Sequence, residues 1–195
     1  MKAFFRSNAK YIARFFINQI VMSILGLSIG LATIALKNTV VAIIGCVFSV
    51  GMLCFLQYDF AFHLGEKHCY LPVDEEKPSK KLGYLIGIIG SVPTIVIIII
   101  GLVFRLIFEK GTTVVLLIYY FFNGTYVQLY ALINELVSQM QDLVLSGCIM
   151  WGFCLIFTLP AIISSGIGYS LGAIDKPLRT VFGIKVNDKI HRDNR

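Results

Sequence analysis

The sequence predicts an all-α integral membrane protein with four transmembrane helices and one further helical segment that is interfacial or re-entrant. Of its 195 residues, 57% are hydrophobic and only 14% are charged, and the mean hydropathy is +0.80. A soluble core of this size cannot bury so much apolar surface. The apolar residues fall in blocks of about 20, the number that an α-helix needs to cross roughly 30 Å of hydrocarbon. Residues 1–195 are therefore predicted to form a single polytopic membrane domain.

The first two predicted helices, at about 15–36 and 40–62, form a tight hairpin around the turn "KNT" at residues 37–39. A basic segment precedes the first helix, as in the n-region of a signal peptide. However, the apolar block is longer than the about 7 to 15 residues of a signal-peptide h-region, and it runs straight into the second block. We expect an uncleaved membrane anchor.

The third and fourth predicted helices, at about 82–108 and 143–174, each contain a proline. Pro93 follows Gly90 and Ser91, so a kink is expected there. The fourth block is too long for one straight crossing and contains Pro160. A kink or a strong tilt would accommodate its length.

The segment 112–137 is ambiguous, because its apolar length would suffice for a crossing but Asn123, Gly124 and Gln128 interrupt it. The positive-inside tendency separates the two topologies. With a cytoplasmic N-terminus and no crossing here, 14 Lys and Arg residues lie inside and 3 outside, whereas a crossing gives 8 inside and 9 outside. Four crossings are favoured, with both termini and the tail 175–195 cytoplasmic. Five transmembrane helices are the alternative.

Tyrosine gives an independent indication, because its amphipathic ring favours the headgroup level of a membrane. Four of the nine tyrosines lie in the ambiguous segment: Tyr119, Tyr120, Tyr126 and Tyr130. We expect this segment to rest in the outer interface, or to dip into the membrane and return at Asn123 and Gly124.

Two glycine patterns predict close helix packing. "GLSIG" contains Gly26 and Gly30, and "GYLIG" contains Gly83 and Gly87. Small residues at this spacing allow two helix backbones to approach each other.

The apolar blocks carry no charge. Asp, Glu, Lys, Arg and His are all absent from 15–36, 40–56, 82–104 and 143–174. Since charges within the membrane mark proton relays, ion pathways and voltage sensors, their absence weakens those functions. A neutral substrate cavity lined by polar side chains remains open, although such side chains more often hydrogen-bond between helices; the candidates are Asn18, Gln19, Ser23, Ser91 and Thr94.

One polar cluster lies at the exit of the second helix, in "QYDFAFHLGEKHCY". It offers five candidate metal ligands within eleven residues, which raises a zinc or iron hypothesis: Asp59, His63, Glu66, His68 and Cys69. Their spacing matches no standard zinc motif, and we expect Gly65 to end the helix before Glu66 can join His63. A helix end at the membrane surface also needs polar residues without binding metal.

Other chemical motifs give little support for catalysis. "GYSLG" at 168–172 matches the nucleophile-elbow pattern, but that motif needs a strand before its turn, and here it closes an apolar helix. No C-x-x-C pair, phosphate-binding loop or nucleic-acid motif is present. No catalytic residue or cofactor is therefore predicted. The net charge of +6 is attributed to topology and to anionic inner-leaflet lipids.

Two stretches carry a resemblance to a known group of proteins. "LQYDFAFHLGEK" and "LPAIISSGIGYSLGAIDKPLRTVFGIKV" resemble small uncharacterised multi-pass membrane proteins of Gram-positive bacteria. The resemblance implies a bacterial cell membrane and brings no activity or site residues with it.

The sequence therefore favours a non-catalytic membrane protein, an accessory, scaffold or regulatory subunit that acts through helix and interfacial contacts. Its expected partners are the lipid bilayer and a membrane protein or a second copy of the chain. The alternative is a small-molecule transport subunit, such as a substrate-binding membrane component. A membrane enzyme ranks third, and a metal bound at Asp59 and His63 would favour it.

Overall fold

The computed structural model describes residues 2–36, 38–70, 79, 81–107, 112–137 and 143–174. The predicted cytoplasmic tail, 175–195, lies outside the described residues. The helices are α1 (Lys2–Ala35), α2 (Thr39–Cys69), α3 (Leu82–Gly90), α4 (Val92–Ile107), α5 (Thr112–Asn123), α6 (Val127–Val137), α7 (Leu143–Ile156) and α8 (Leu159–Gly172); a 3₁₀ turn, Gly124–Tyr126, joins α5 to α6. Within the described ranges there is no strand, so the all-α class is confirmed.

Several helical runs are long and apolar enough to cross a membrane. Four of them qualify singly: 8–33, 39–69, 113–137 and 145–172. Helices α3 and α4 qualify as a pair that is bent by 45° at Ser91. The predicted membrane class is therefore confirmed, and the kink expected before Pro93 is present.

The helices run alternately between two ends of the bundle. Gly168 of α8 packs against the backbone of Tyr58 and Gly172 against that of Phe62, so α8 is parallel to α2. Gly83 packs against Tyr169 and Gly87 against Ile162, so α3 is antiparallel to α8. We call the end that holds Tyr11, Tyr70, Lys81 and Ile174 the N-terminal end, and the end that holds Asn38, Arg105, Glu135 and Gly147 the far end.

The segment 112–137 folds back on itself. The ring centroids of Tyr120 and Tyr130 are 5.2 Å apart, although ten residues of straight helix would separate them by about 15 Å along the axis. Asn123 breaks the helix with φ −133° and ψ 31°. Helices α5 and α6 are thus the two arms of a V whose apex is the turn 124–126.

The apex of the V lies near the middle of the bundle, and both arms lead to the far end. Asn123 contacts Gln19 and Thr94, which lie near the middle of α1 and of the α3–α4 pair. On the second arm, Glu135 lines a cavity together with Asn38 at the far end. The first arm begins at Thr112, five residues after α4 ends at the far end. The segment is therefore re-entrant, and four helical runs connect the two ends.

Several predicted boundaries differ in the structure. Helix α1 begins at Lys2, not near residue 15. Helix α2 does not end near residue 62 but continues through Gly65 to Cys69, because Gly65 packs closely against the backbone of Tyr169 and Ala173 and has no role as a helix cap. The predicted fourth helix is interrupted at Phe157 and Thr158, and Pro160 lies in the first turn of α8, where its missing N–H costs nothing.

The interfacial role expected for the tyrosines of the V is wrong for two of them. Tyr119 is 1% exposed and Tyr126 is 2% exposed. Tyr119 packs edge-on against Trp151, and Tyr126 stacks on Phe157 at 5.5 Å. Their rings fill the space between the V and α7, where burial outweighs their preference for the headgroup level.

The predicted glycine contacts are confirmed. A Cβ atom on Gly26 would collide with the backbone of Thr125, and one on Gly30 would collide with the side chain of Val127. The glycines of the first helix therefore allow the apex and the second arm of the V to pack closely against α1. Those of α3, Gly83 and Gly87, admit α8.

Candidate functional site

A buried polar network surrounds the apex of the V. The Gln19 amide nitrogen donates to Asn123 Oδ1 at 2.9 Å and to Thr94 Oγ1 at 3.2 Å. The Asn123 amide nitrogen also donates to Thr94 Oγ1, at 3.4 Å. Each of these three side chains is at most 4% exposed. Uncharged side chains thus link α1, α4 and the V at the depth where the V turns.

Ser23 holds the backbone of the turn itself. Its hydroxyl proton is shared between the carbonyl oxygens of Phe121 at 2.8 Å and Tyr120 at 3.0 Å, and its oxygen accepts the N–H of Gly124. Broken helices leave backbone groups without intrahelical partners, which is costly away from water. Ser23 supplies these partners, so a serine on α1 stabilises an interruption 97 to 101 residues away in the chain.

Of the polar residues predicted to face the interior, Gln19, Ser23, Ser91 and Thr94 are buried, whereas Asn18 is not. Gln19, Ser23 and Thr94 hydrogen-bond between elements, the commoner of the two roles considered. Asn123 and Gln128 also belong to the site, because both form hydrogen bonds between elements. Their sequence positions indicated only that they interrupt an apolar block.

Three buried glutamines leave their side-chain carbonyl oxygens without a hydrogen-bond partner among the described residues: Gln19, Gln57 and Gln128. Each uses its amide nitrogen as an interhelix donor. Gln57 donates to the Phe15 carbonyl at 3.0 Å, and Gln128 donates to Thr33 Oγ1 at 3.4 Å. Through these bonds the three oxygens are distributed along α1, near its residues 15, 19 and 33.

The donor or acceptor capacity of the partner group determines the orientation of two of these side-chain amides. The Phe15 carbonyl can only accept, so the nitrogen of Gln57 must face it. Thr33 gives its single hydroxyl proton to the Gly30 carbonyl at 3.0 Å, so it can only accept from Gln128. The oxygens of Gln57 and Gln128 therefore point away from these partners as unused acceptors.

An open cavity of about 270 Å³ lies at the far end, between the α1–α2 turn and the second arm of the V. Polar and apolar side chains line it together: Thr33, Asn38, Thr39, Ala42, Gln128, Ala131, Leu132 and Glu135. Gln128 is 1% exposed and Glu135 is exposed. A buried amide thus lies in the wall, and a carboxylate lies where the wall meets the surface.

The cluster of candidate metal ligands at the N-terminal end is divided into two parts. His63 lies between two carboxylates, with Nε2 3.5 Å from Asp59 and Nδ1 3.2 Å from Glu66. The expectation that Glu66 would be kept from His63 is wrong, since α2 continues through Gly65. His68 instead contacts the Tyr169 hydroxyl at 2.9 Å.

This arrangement does not support the metal hypothesis. Within the described ranges, no group of three or more His, Cys, Asp or Glu side chains is placed to hold a metal ion. All five cysteines, Cys69 among them, lie within the described ranges, and none is in a disulfide bond. Ser170, the serine of the elbow-like motif, lies within α8 and donates to the Gly166 carbonyl of its own helix at 2.8 Å.

Elemental analysis tests this interpretation. We expect purified protein to contain no stoichiometric zinc or iron, because the described residues give His63 two carboxylate neighbours and no third ligand, and His68 is turned towards Tyr169 of α8. The double variant Asp59→Asn, His63→Ala should have the same metal content as the parent. A near-equimolar metal signal that disappears in the variant would refute the interpretation.

The fold and these contacts define the class of the protein as a polytopic α-helical membrane protein with a re-entrant V. Comparison with protein-family models, curated proteins and solved structures found no match.

Proposed function

We propose that the chain is a non-catalytic membrane subunit that binds a small polar solute, such as the substrate-binding membrane component of a transporter. The sequence alone ranked this function second. The observation that moves it to first place is the convergence of three helix interruptions near the middle of the bundle: Ser91, the turn 124–126, and Phe157 with Thr158.

Interrupted helices support this function for a physical reason. Within a bilayer, irregular backbone is tolerated only where protein covers it or where it lines a cavity, and transporters place solute sites at such breaks. Here the breaks adjoin unused polar atoms, since Gln19 Oε1 and Ser91 Oγ have no hydrogen-bond partner among the described residues. Such atoms suit a solute that supplies hydrogen-bond donors.

We place the N-terminal end of the bundle on the cytoplasmic side of a bacterial cell membrane. The distribution of Lys and Arg supports this orientation, and the resemblance noted above supports the bacterial membrane. The V then enters from the outer face, and anionic inner-leaflet lipids attract the basic N-terminal end.

Analysis of released small molecules tests the proposed function. Protein purified in mild detergent should release a small polar solute on denaturation, detected by mass spectrometry. Asn123→Leu should reduce the amount released, because it removes the amide that links Gln19 and Thr94. Phe121→Leu, on the exposed side of the same helix, is the matched control and should leave it unchanged. Release of no solute from the parent would contradict the proposal.

An accessory or scaffold role is the second candidate, and two unused glycines favour it. A Cβ atom on Gly51 of α2 or Gly152 of α7 would meet no described atom within 4 Å. Neither glycine therefore serves the packing described here, and each leaves room for a helix of another protein. Co-purification of a partner protein that Gly51→Leu abolishes would favour this role.

A further inference from the structure

The cavity at the far end has the chemistry of a site for a small organic cation with N–H donors. We propose that an ammonium group binds there between the side chains of Gln128 and Glu135. This inference rests on the proposed function and deepens it, because it names the class of solute and its place of entry.

A buried residue that lines the cavity has a hydrogen-bond acceptor without a partner among the described residues. Gln128 is 1% exposed, its nitrogen is committed to Thr33, and its oxygen has no hydrogen-bond partner among the described residues. Leaving a buried acceptor unpaired costs about 1 to 3 kcal/mol. A ligand that donates to this oxygen recovers that cost, whereas a carboxylate or phosphate adds a second acceptor beside it.

The neighbouring groups add to the preference for donors. Thr33 has already given its hydroxyl proton to the Gly30 carbonyl, so its hydroxyl adds no donor to the lining of the cavity. Among the described residues that line the cavity, Glu135 is the one charged group. Its carboxylate attracts a cation to the mouth and repels an anion.

The size of the cavity limits the ligand. A volume of about 270 Å³ corresponds to roughly nine water molecules at about 30 Å³ each. The apolar side chains of Ala42, Ala131 and Leu132 in its lining suit a short carbon chain. The fitting ligand is therefore an amine with a few carbon atoms.

Three probes of nearly equal size test the charge preference. 3-Aminopropan-1-ol is a cation at pH 7, 1,3-propanediol is neutral, and 3-hydroxypropanoate is an anion. Thermal unfolding of the full chain in detergent, at constant ionic strength, measures binding because a ligand that binds only the folded state raises the midpoint. We expect the cation to raise the midpoint most and the anion to leave it unchanged. Equal shifts from the cation and the anion would overturn the proposal.

Two carboxylate variants locate the site. Glu135→Gln should lower the affinity for the cation at least tenfold, because it removes the negative charge from the described lining of the cavity. Asp59→Asn removes the same charge at the N-terminal end and should leave the affinity unchanged. An equal loss in both variants would indicate general charge attraction and overturn the site.

The results separate this inference from the proposed function. If purified protein releases a solute at denaturation but the cation shift is absent, or Glu135→Gln leaves it unchanged, the cavity assignment is wrong and the proposed function stands. If the cation binds with the expected variant pattern but purified protein releases no solute, the site stands and the proposed function is wrong.

Discussion

Leucine at Gly168 or Gly26 should destabilise the protein strongly. A side chain at Gly168 would be driven into the Tyr58 carbonyl, and one at Gly26 into the Thr125 backbone. Backbone atoms within packed helices cannot rotate away as the end of a flexible side chain can. Overpacking of this kind costs about 1 to 3 kcal/mol, and occasionally more. The midpoint of thermal unfolding in detergent, followed by helical circular dichroism, should fall clearly below that of the parent.

The structure provides a graded series of controls for this effect. A Cβ atom on Gly87 would lie 3.1 Å from Ile162 Cα, which is tight but not a collision, so Gly87→Leu should cost less than Gly168→Leu. Gly51→Leu meets no described atom within 4 Å and should retain the parent's midpoint. If Gly168→Leu and Gly26→Leu unfold at the same temperature as Gly51→Leu, the packing of α2 against α8 and of α1 against the V is wrong.

The re-entrant topology predicts an all-or-none labelling pattern in cells. In a background that keeps Cys69 and replaces the other four cysteines by alanine, a membrane-impermeant thiol reagent should modify Glu135→Cys in intact cells. Cys69 and a cysteine at Lys189 should react only after the cells are opened. In the proposed orientation, a V that enters from the outside returns residue 135 to the outer face, and the positive-inside tendency keeps the other two sites inside.

A fifth crossing would reverse the two engineered sites. Lys189→Cys would then be labelled in intact cells and Glu135→Cys would be protected, while Cys69 would stay inside in either topology and report membrane integrity. Asn38→Cys, in the α1–α2 turn, is the positive control for the outer face. Labelling at 189 in intact cells would exclude the re-entrant V. It would also contradict the placement of the cavity at the far end on the outer side of the membrane.

The membrane class and the approximate position of most helices could be predicted from the sequence, and the side of the membrane for the charged segments remains a prediction from it. Hydropathy is a sum over neighbouring residues, and the positive-inside tendency counts charges near helix ends, so both are local properties of the chain. The kink before Pro93 and the close contacts of Gly26, Gly30, Gly83 and Gly87 were predictable for the same reason, because each depends on the residue type at one or two positions.

Whether 112–137 crosses the membrane depended on contacts between residues far apart in the sequence. Asn123 and Gly124 signal a break, but a break at mid-bundle is stable only because Ser23 partners the turn and Gly26 leaves room for its backbone. The same holds for Gly65, where α2 continues because α8 packs against it.

The candidate site was harder to predict from the sequence than the fold was. The glutamines were visible as polar residues in apolar blocks, but a sequence does not say which atom of an amide finds a partner. Only the tertiary structure directs the nitrogen of Gln128 to Thr33 and leaves the oxygen of this cavity-lining residue without a partner among the described residues. Hydrogen bonds are directional and join elements from distant parts of the chain, so their pattern exists only once the helices are packed.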